Sequence, residues 1–239
     1  MNAWPQGYRL ARHGELDSTN SEARRLAEAG EVGPVWITAE RQTAGRGRRG
    51  RAWETGAGNL AATLLLRPDA PAAIIGQLSF AAALAVAEMA QHFAPDAAIT
   101  VKWPNDVLAE GRKLAGILLE AGDGWLAIGI GVNLAHFPEG TEFPAVSLAQ
   151  LGVAPPSPAE ALTVLAAHLA HWYDAWMQDG FDTVRAAWLE RAQALGGPIR
   201  ARLTHETRHG LFEGIDASGA LLLNEQGTVR AIAAGEVFF

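Results

Sequence analysis

The chain contains no cysteine, which excludes disulfides and thiol nucleophiles and fits a cytoplasmic protein. It also lacks a long apolar run. The longest stretch, Phe80 to Phe93, is interrupted by Glu88, Gln91 and His92, so it reads as a buried or amphipathic helix and not a membrane span. Met1 to Ser18 is polar and carries no apolar segment of the secretory type. No internal repeat and no low-complexity tail is visible. Lysine is nearly absent: of nineteen basic residues, only Lys102 and Lys113 are lysine. Lysine is a compact charge on a flexible stem, whereas arginine is a wide planar fork. Two lysines kept close together in an arginine-rich chain point to a tight anionic pocket.

At 239 residues the chain can form one sizeable core with a small appendage. A formal net charge of −7 argues against a nucleic-acid partner. Yet Arg41, Arg46, Arg48, Arg49 and Arg51 crowd into one glycine-rich segment. In an acidic protein such a cluster is better suited to a small anion than to a DNA-binding face.

Thr19 to Ala29 reads as a short helix, with Asp17-Ser18-Thr19 as its cap region and Gly30 as its stop. Val35 to Ala39 is an apolar strand running into Arg41–Arg51, which has too many glycines for a helix and too little alternation for a strand, hence a loop. Asn59 to Leu66 is a strand, and the alanine-rich stretch from about Ala73 to Phe93 is a long buried helix. Ile99–Trp103, Lys113–Glu120 and Trp125–Asn133 follow as a meander. Ala159–Met177 and Phe181–Ala194 show helical periodicity with an aromatic face that suits core packing. Gly196-Gly197-Pro198 is the best boundary, dividing the chain into residues 1–195 and 196–239. Beyond it come short alternating strands at Ile199–Leu203, Leu211–Ile215, Ala220–Asn224 and Val229–Ala233. Forty such residues are too few to rely on folding alone, so they are expected to lean on the larger part.

Four segments could carry chemistry. In Gly45-Arg46-Gly47-Arg48-Arg49-Gly50-Arg51, glycines let the backbone approach an anion, arginines add bidentate contacts, and Trp53 can stack on a planar ring. The same composition also suits a flexible RNA-attracting loop, and it is not a P-loop. Lys102-Trp103-Pro104-Asn105-Asp106 holds two polar side chains at a strand exit, although Pro-Asn-Asp is also an ordinary turn. Lys113 opens a strand of small and aliphatic residues, where an ammonium needs a matching anion. Gly129-Ile130-Gly131-Val132-Asn133 places glycines on a strand, suggesting close approach of a ligand or of another backbone.

Taken together and in this order, with Ser18-Thr19-Asn20 and Gln42 ahead of them, these segments resemble the biotin–protein ligases along essentially the whole chain. The resemblance implies an α+β fold. A mixed β-sheet flanked by helices would form a catalytic domain like those of class II aminoacyl-tRNA synthetases and biotin ligases, followed by a small C-terminal SH3-like β-barrel. It implies two reactions: biotin and ATP give biotinyl-5′-AMP, and a lysine of a biotin carboxyl carrier domain then takes the biotin. The carrier would belong to acetyl-CoA carboxylase or another biotin-dependent carboxylase. By resemblance Lys113 contacts the biotin carboxylate and the α-phosphate, Lys102 holds the outer phosphates, and Arg48 serves the reaction from the loop. Ser18, Thr19, Asn20, Gln42, Arg46, Gly47, Arg48, Lys113 and Gly116 would bind biotin. Trp53, Lys102, Asn105, Asp106 and Asn133 would bind ATP, with Asp106 organising Mg²⁺. Some relatives carry an N-terminal helix-turn-helix; the Ser-Thr-Asn motif begins within twenty residues of Met1, so DNA-binding repression is not expected. Relatives can dimerise through sheet edges, but the sequence identifies no such edge, and a homodimer stays open.

Three other readings compete. A lipoate or octanoyl transferase would share the fold, but lipoate has no ureido group for Ser18, Thr19, Asn20 and Gln42 to satisfy. A nucleic-acid module would use the arginine–glycine loop, against the net charge. A catalytically dead biotin sensor conflicts with the retention of both lysines.

Overall fold

The computed structural model describes residues 3–239. Strand β1 (Arg9–Leu16) leads into helix α1 (Thr19–Glu28), and β2 (Val35–Gln42) and β3 (Leu60–Leu66) precede helix α2 (Leu78–Phe93). Strands β4 (Ile99–Lys102), β5 (Asp106–Ala109), β6 (Arg112–Gly122) and β7 (Trp125–Val132) follow, and then helices α3 (Pro158–Asp179) and α4 (Phe181–Glu190). The chain ends in β8 (Pro198–Arg202), β9 (Thr207–Ile215), β10 (Leu221–Glu225), β11 (Thr228–Ile232) and β12 (Glu236–Phe238).

Strands β1 to β7 form one sheet in the order β1-β2-β3-β7-β6-β5-β4. Only β1 and β2 run parallel, so the sheet is mixed. The last five strands make a second, wholly antiparallel sheet, β11-β10-β9-β8-β12. This is the α+β architecture with a small C-terminal β domain that the sequence suggested.

Strand alternation sorts the side chains onto two faces. Trp36, Leu64, Ile128 and Ile130 enter the main core with α2, α3 and α4, while Val35, Ile37, Leu65 and Ala127 pack against Ala23 and Ala27 of α1. Helices α2 and α3 cover the first face, and α4 packs on both of them and on β9. On the second, α1 covers only one part, and the neighbouring positions carry Gly116, Gly129 and Gly131. That uncovered floor is where a ligand can sit.

Three strands were not legible in the sequence: β1, β5 and the three-residue β12 at the C-terminus. β1 is an edge strand of mixed polar residues with little alternation, and β5 is only four residues long. The Pro-Asn-Asp run is therefore the turn of a β4–β5 hairpin, and Asp106 opens a strand of its own. Arg41 and Gln42, expected in the loop, are the last two residues of β2.

Candidate active site

A cavity of about 500 Å³ opens on the α1 face of the large sheet. The residues expected to bind biotin or ATP all border it: Ser18, Thr19, Asn20, Gln42, Arg46, Gly47, Arg48, Trp53, Lys102, Asn105, Asp106, Lys113, Gly116 and Asn133; Arg41 and Arg49 of the same arginine cluster do not. Segments more than a hundred residues apart meet because β2, β6 and β7 present the same face.

One end is neutral and polar. Ser18 caps α1, so Thr19 and Asn20 occupy its first turn and turn inward, buried. Gln42 ends β2 and reaches the helix start. Its Oε1 accepts from the Thr19 backbone N–H at 2.8 Å, and its Nε2 donates to Thr55 Oγ1 at 3.0 Å. Thr63 of β3, fully buried, sets its hydroxyl 2.7 Å from both Thr19 Oγ1 and Asn20 Oδ1. Asn20 also donates to the Leu118 carbonyl at 3.3 Å. These groups are fixed before any ligand arrives.

The other end is charged. Lys102 and Asp106 face each other across the β4–β5 hairpin. A bulge between Val107 and Leu108 shifts the β5–β6 register and brings Lys113 to the same carboxylate. Lys113 Nζ lies 2.6 Å from Asp106 Oδ1, and Lys102 Nζ lies 3.3 Å from Oδ2. Lys102 Nζ also sits 3.9 Å from the centre of the Phe143 ring, a cation–π contact. Burial works to raise the Asp106 carboxyl, but the two ammonium groups outweigh it and hold it below the usual carboxylate range. Burial pulls Lys102 below the ordinary lysine value, with Asp106 opposing.

The arginine–glycine segment folds over the cavity. Arg48 opens a single turn of 3₁₀ helix, and its Nη1 donates to Asn105 Oδ1 at 3.2 Å. Burial, together with Arg49 and Arg51, lowers its pKa, and Asp106 opposes them. Arg46 donates to Ser21 Oγ at 3.0 Å and forks onto Glu120 at 3.0 and 3.1 Å. Arg49 and Arg51 pair with Glu236 of β12. Lys102, Lys113 and Arg48 gather around the one buried carboxylate of Asp106, while Arg46, Arg49 and Arg51 are paired with Glu120 and Glu236; the positive charge left over beside Asp106 suits an incoming polyanion.

The floor depends on glycine. A Cβ at Gly131 would overlap the Trp53 indole, and one at Gly129 would overlap the Asn20 amide. Both side chains lie flat on the sheet because nothing projects from it there.

Two expectations take a different form. Asn133 was expected to meet the nucleotide, yet its Nδ2 donates to the Val146 carbonyl at 3.2 Å and ties β7 to the segment after Pro144. Asp106 was expected to organise Mg²⁺. Both its oxygens already contact ammonium groups, and no cluster of three metal-ligating side chains exists among the described residues. A cation carried by ATP phosphates would need only this one carboxylate from the protein, which in this structure is shared by the two ammonium groups. Thr63, Thr55, Phe143 and Phe238 were missed. A lone threonine in the apolar strand Leu60–Leu66 was a usable signal; the two phenylalanines come from loops and β12, with no local pattern.

The N-terminal part of the chain, residues 16–133, matches the family of biotin/lipoate A/B protein ligases, and residues 194–239 match the C-terminal domain of biotin protein ligases. These define the class: protein ligases built on this mixed sheet. The chain is 47% identical to a biotin–[acetyl-CoA-carboxylase] ligase of Paracoccus denitrificans, covering 93% of this chain and 97% of that one. It is 35% identical to the enzyme of that name from Mycobacterium tuberculosis, over 93% of this chain and 86% of the relative. In structure it superposes on a biotin protein ligase from Aquifex aeolicus in complex with biotin and ATP, with a TM-score of 0.84 at 27% identity, over 96% of this chain and 97% of that one. The chain belongs to the biotin protein ligase family and is a ligase enzyme.

Proposed function

We propose that this enzyme joins biotin to AMP at the expense of ATP and transfers the biotin to a lysine of a biotin carboxyl carrier domain, that of acetyl-CoA carboxylase being the target named in its relatives. The observation that carries the reading is the polarity of the cavity. A fixed set of neutral donors and acceptors (Ser18, Thr19, Asn20, Gln42) lies at one end, and Lys102, Lys113 and Arg48 gather at the other. That pairing suits a molecule with a ureido ring at one end and a carboxylate at the other.

The first step brings a carboxylate against a phosphate, and the repulsion must be offset in a dry site. Lys113, freest of the two lysines to reach into the cavity, would bridge the biotin carboxylate and the α-phosphate as negative charge builds on phosphorus. Lys102 would hold the outer phosphates until pyrophosphate leaves. Arg48, held by Asn105, would lie over the acyl phosphate, and Arg46 and Gly47 over the valeryl chain. Trp53 would give the adenine a stacking face, and Asn133 would secure the strand ends around the nucleotide. Gly116 keeps room beside Lys113 and Trp53. Asp106 would hold the two ammonium groups in place, and magnesium would arrive on ATP. In the second step the carrier lysine attacks the acyl carbon and AMP departs.

The test is pyrophosphate exchange with biotin and ATP. Wild type should exchange, and Lys113→Ala should lose about 10²–10³ in rate, the usual effect of removing one preorganised contact to developing charge. Exchange supported by lipoate and not by biotin would overturn the choice of substrate.

A further inference from the structure

Strands β3 and β7 part at one end, where their ladder closes on the pair Leu60 and Val132. The backbone leaving β7 there presents three consecutive N–H groups, and one side chain takes all of them. Asn59, buried just ahead of β3, accepts at its Oδ1 from the N–H groups of Leu134, Ala135 and His136 at 3.0, 3.0 and 3.1 Å. Its Nδ2 donates to the His136 carbonyl at 3.0 Å. Successive N–H groups converging on one point make a concavity that commonly takes an anion; here an amide oxygen fills it. Asn59 does not line the cavity itself. The chain it holds does, because residues 138–145 bring Pro138, Glu139, Thr141, Glu142, Phe143 and Ala145 to the charged end. The far end of this wall is fixed on Lys113, whose N–H donates to the Pro144 carbonyl at 2.7 Å and whose carbonyl accepts from Val146 at 2.9 Å. At the near end the Leu134 carbonyl accepts from Ala149 at 2.9 Å, and the three N–H groups depend on Asn59.

We propose that Asn59 is a positioning residue for the nucleotide: it staples the start of the 138–145 wall to the segment that carries Trp53, so the pocket's spacing is set before ATP arrives. The inference rests on the ATP-dependent reading above. Asn59 follows Trp53 by six residues, and the two segments pack closely; a Cβ on Gly58 would lie 3.1 Å from that of Ala135. Without the amide oxygen the Leu134 N–H has no ready substitute, since Leu134 is fully buried and a buried donor left unpaired is costly. The wall must then shift outward, and ATP has to reorder it on binding, which weakens affinity. The neutral end is held by other bonds, from Gln42 and Thr63 to Thr19 and Asn20. Biotin binding is therefore expected to stay as it is.

The experiment measures pyrophosphate exchange and calorimetric binding of ATP and of biotin on the full-length protein. Asn59→Ala should raise KM for ATP about tenfold, one net hydrogen bond's worth, with kcat at saturating ATP and biotin affinity near wild type. Asn59→Asp keeps the acceptor for the three N–H groups and should recover most of the ATP affinity, which general damage to the fold would not predict. Unchanged ATP affinity in Asn59→Ala, equal losses for ATP and biotin, or no recovery in Asn59→Asp would each overturn the proposal. A second measurement needs no variant to fold. In ligand-free wild type, the amides of Leu134, Ala135 and His136 should exchange with deuterium at least about tenfold more slowly than those of Glu139 and Gly140, after correction for intrinsic rates. Equal rates would show that the staple is not closed in solution. Wild type that binds no ATP and exchanges no pyrophosphate while those amides stay protected would instead count against the underlying reading.

Discussion

Thr63 shows how much of the site depends on single buried atoms. Its hydroxyl bridges Thr19 and Asn20 from beneath, without lining the cavity itself. Thr63→Val keeps the shape but leaves Asn20 Oδ1 without its donor, while Thr19 Oγ1 keeps its bond to Gln42. It should cost about 1–3 kcal/mol of stability in urea titration, the usual penalty for a buried group left unpaired. It should also weaken biotin binding about tenfold, one such hydrogen bond's worth, with kcat little changed, and Thr63→Ser should recover both. A variant with unaltered biotin affinity would show that Thr19 and Asn20 hold their places unaided. Gly131→Ala probes the floor: its methyl would displace Trp53, so ATP affinity should fall in calorimetry while biotin affinity changes little.

At the level of elements, helix α1 and the arginine–glycine segment carry the site. Asp17 precedes the helix, donating no proton but accepting from Arg25, Nη2 at 2.8 Å and Nη1 at 3.1 Å. Hydrogen bonding to Arg25 lowers the Asp17 carboxyl from 3.8 to about 2. The pair therefore contributes stability that is complete above pH 4 and is lost as pH falls toward 2. Both partners are about half exposed, so the contribution is small, about 0.5 kcal/mol after screening. Asp17→Asn should flatten that part of the acid-stability curve and leave stability between pH 6 and 8 lower by the same amount. For the covering segment, Arg48→Gly should leave adenylation partly working while adenylate escapes and biotinylates lysines of bystander proteins. Strict acceptor specificity in that variant would show that the segment does not retain the intermediate.

Across the whole molecule, the two sheets share one apolar core: Ile199, Phe212, Ile215 and Leu221 belong to the same cluster as Phe80, Trp103 and Trp188. Trp103 Nε1 donates to the Gly219 carbonyl at 2.9 Å, Gln77 Nε2 to that of Ala217 at 3.1 Å, and Arg185 Nε to that of Ile215 at 2.7 Å. Glu236 reaches the loop over the cavity from the far sheet. We propose that residues 1–195 and 196–239, distinct in topology, unfold together. Tryptophan fluorescence and far-UV circular dichroism should trace one coincident transition in denaturant. Two separated midpoints would show that the β domain folds on its own.

Local chemistry made several features readable before any coordinates. Helix caps, strand periodicity and the glycine–proline stops act over a few residues, so α1, β3, α2 and the switch near Gly196 stand out in one dimension. The motif residues do too, because their types are unusual where they occur: two lysines among arginines, and glycines on a strand. What depends on neighbours distant along the chain could not be read there. Edge strand β1 is defined by pairing with β2, the partners of Asp106 by an extra residue in β6 opposite β5, and the grip of Glu236 on Arg49 and Arg51 by the docking of a second sheet. Burial and ion pairing are set by what surrounds an atom in space, and only the closed fold supplies those surroundings.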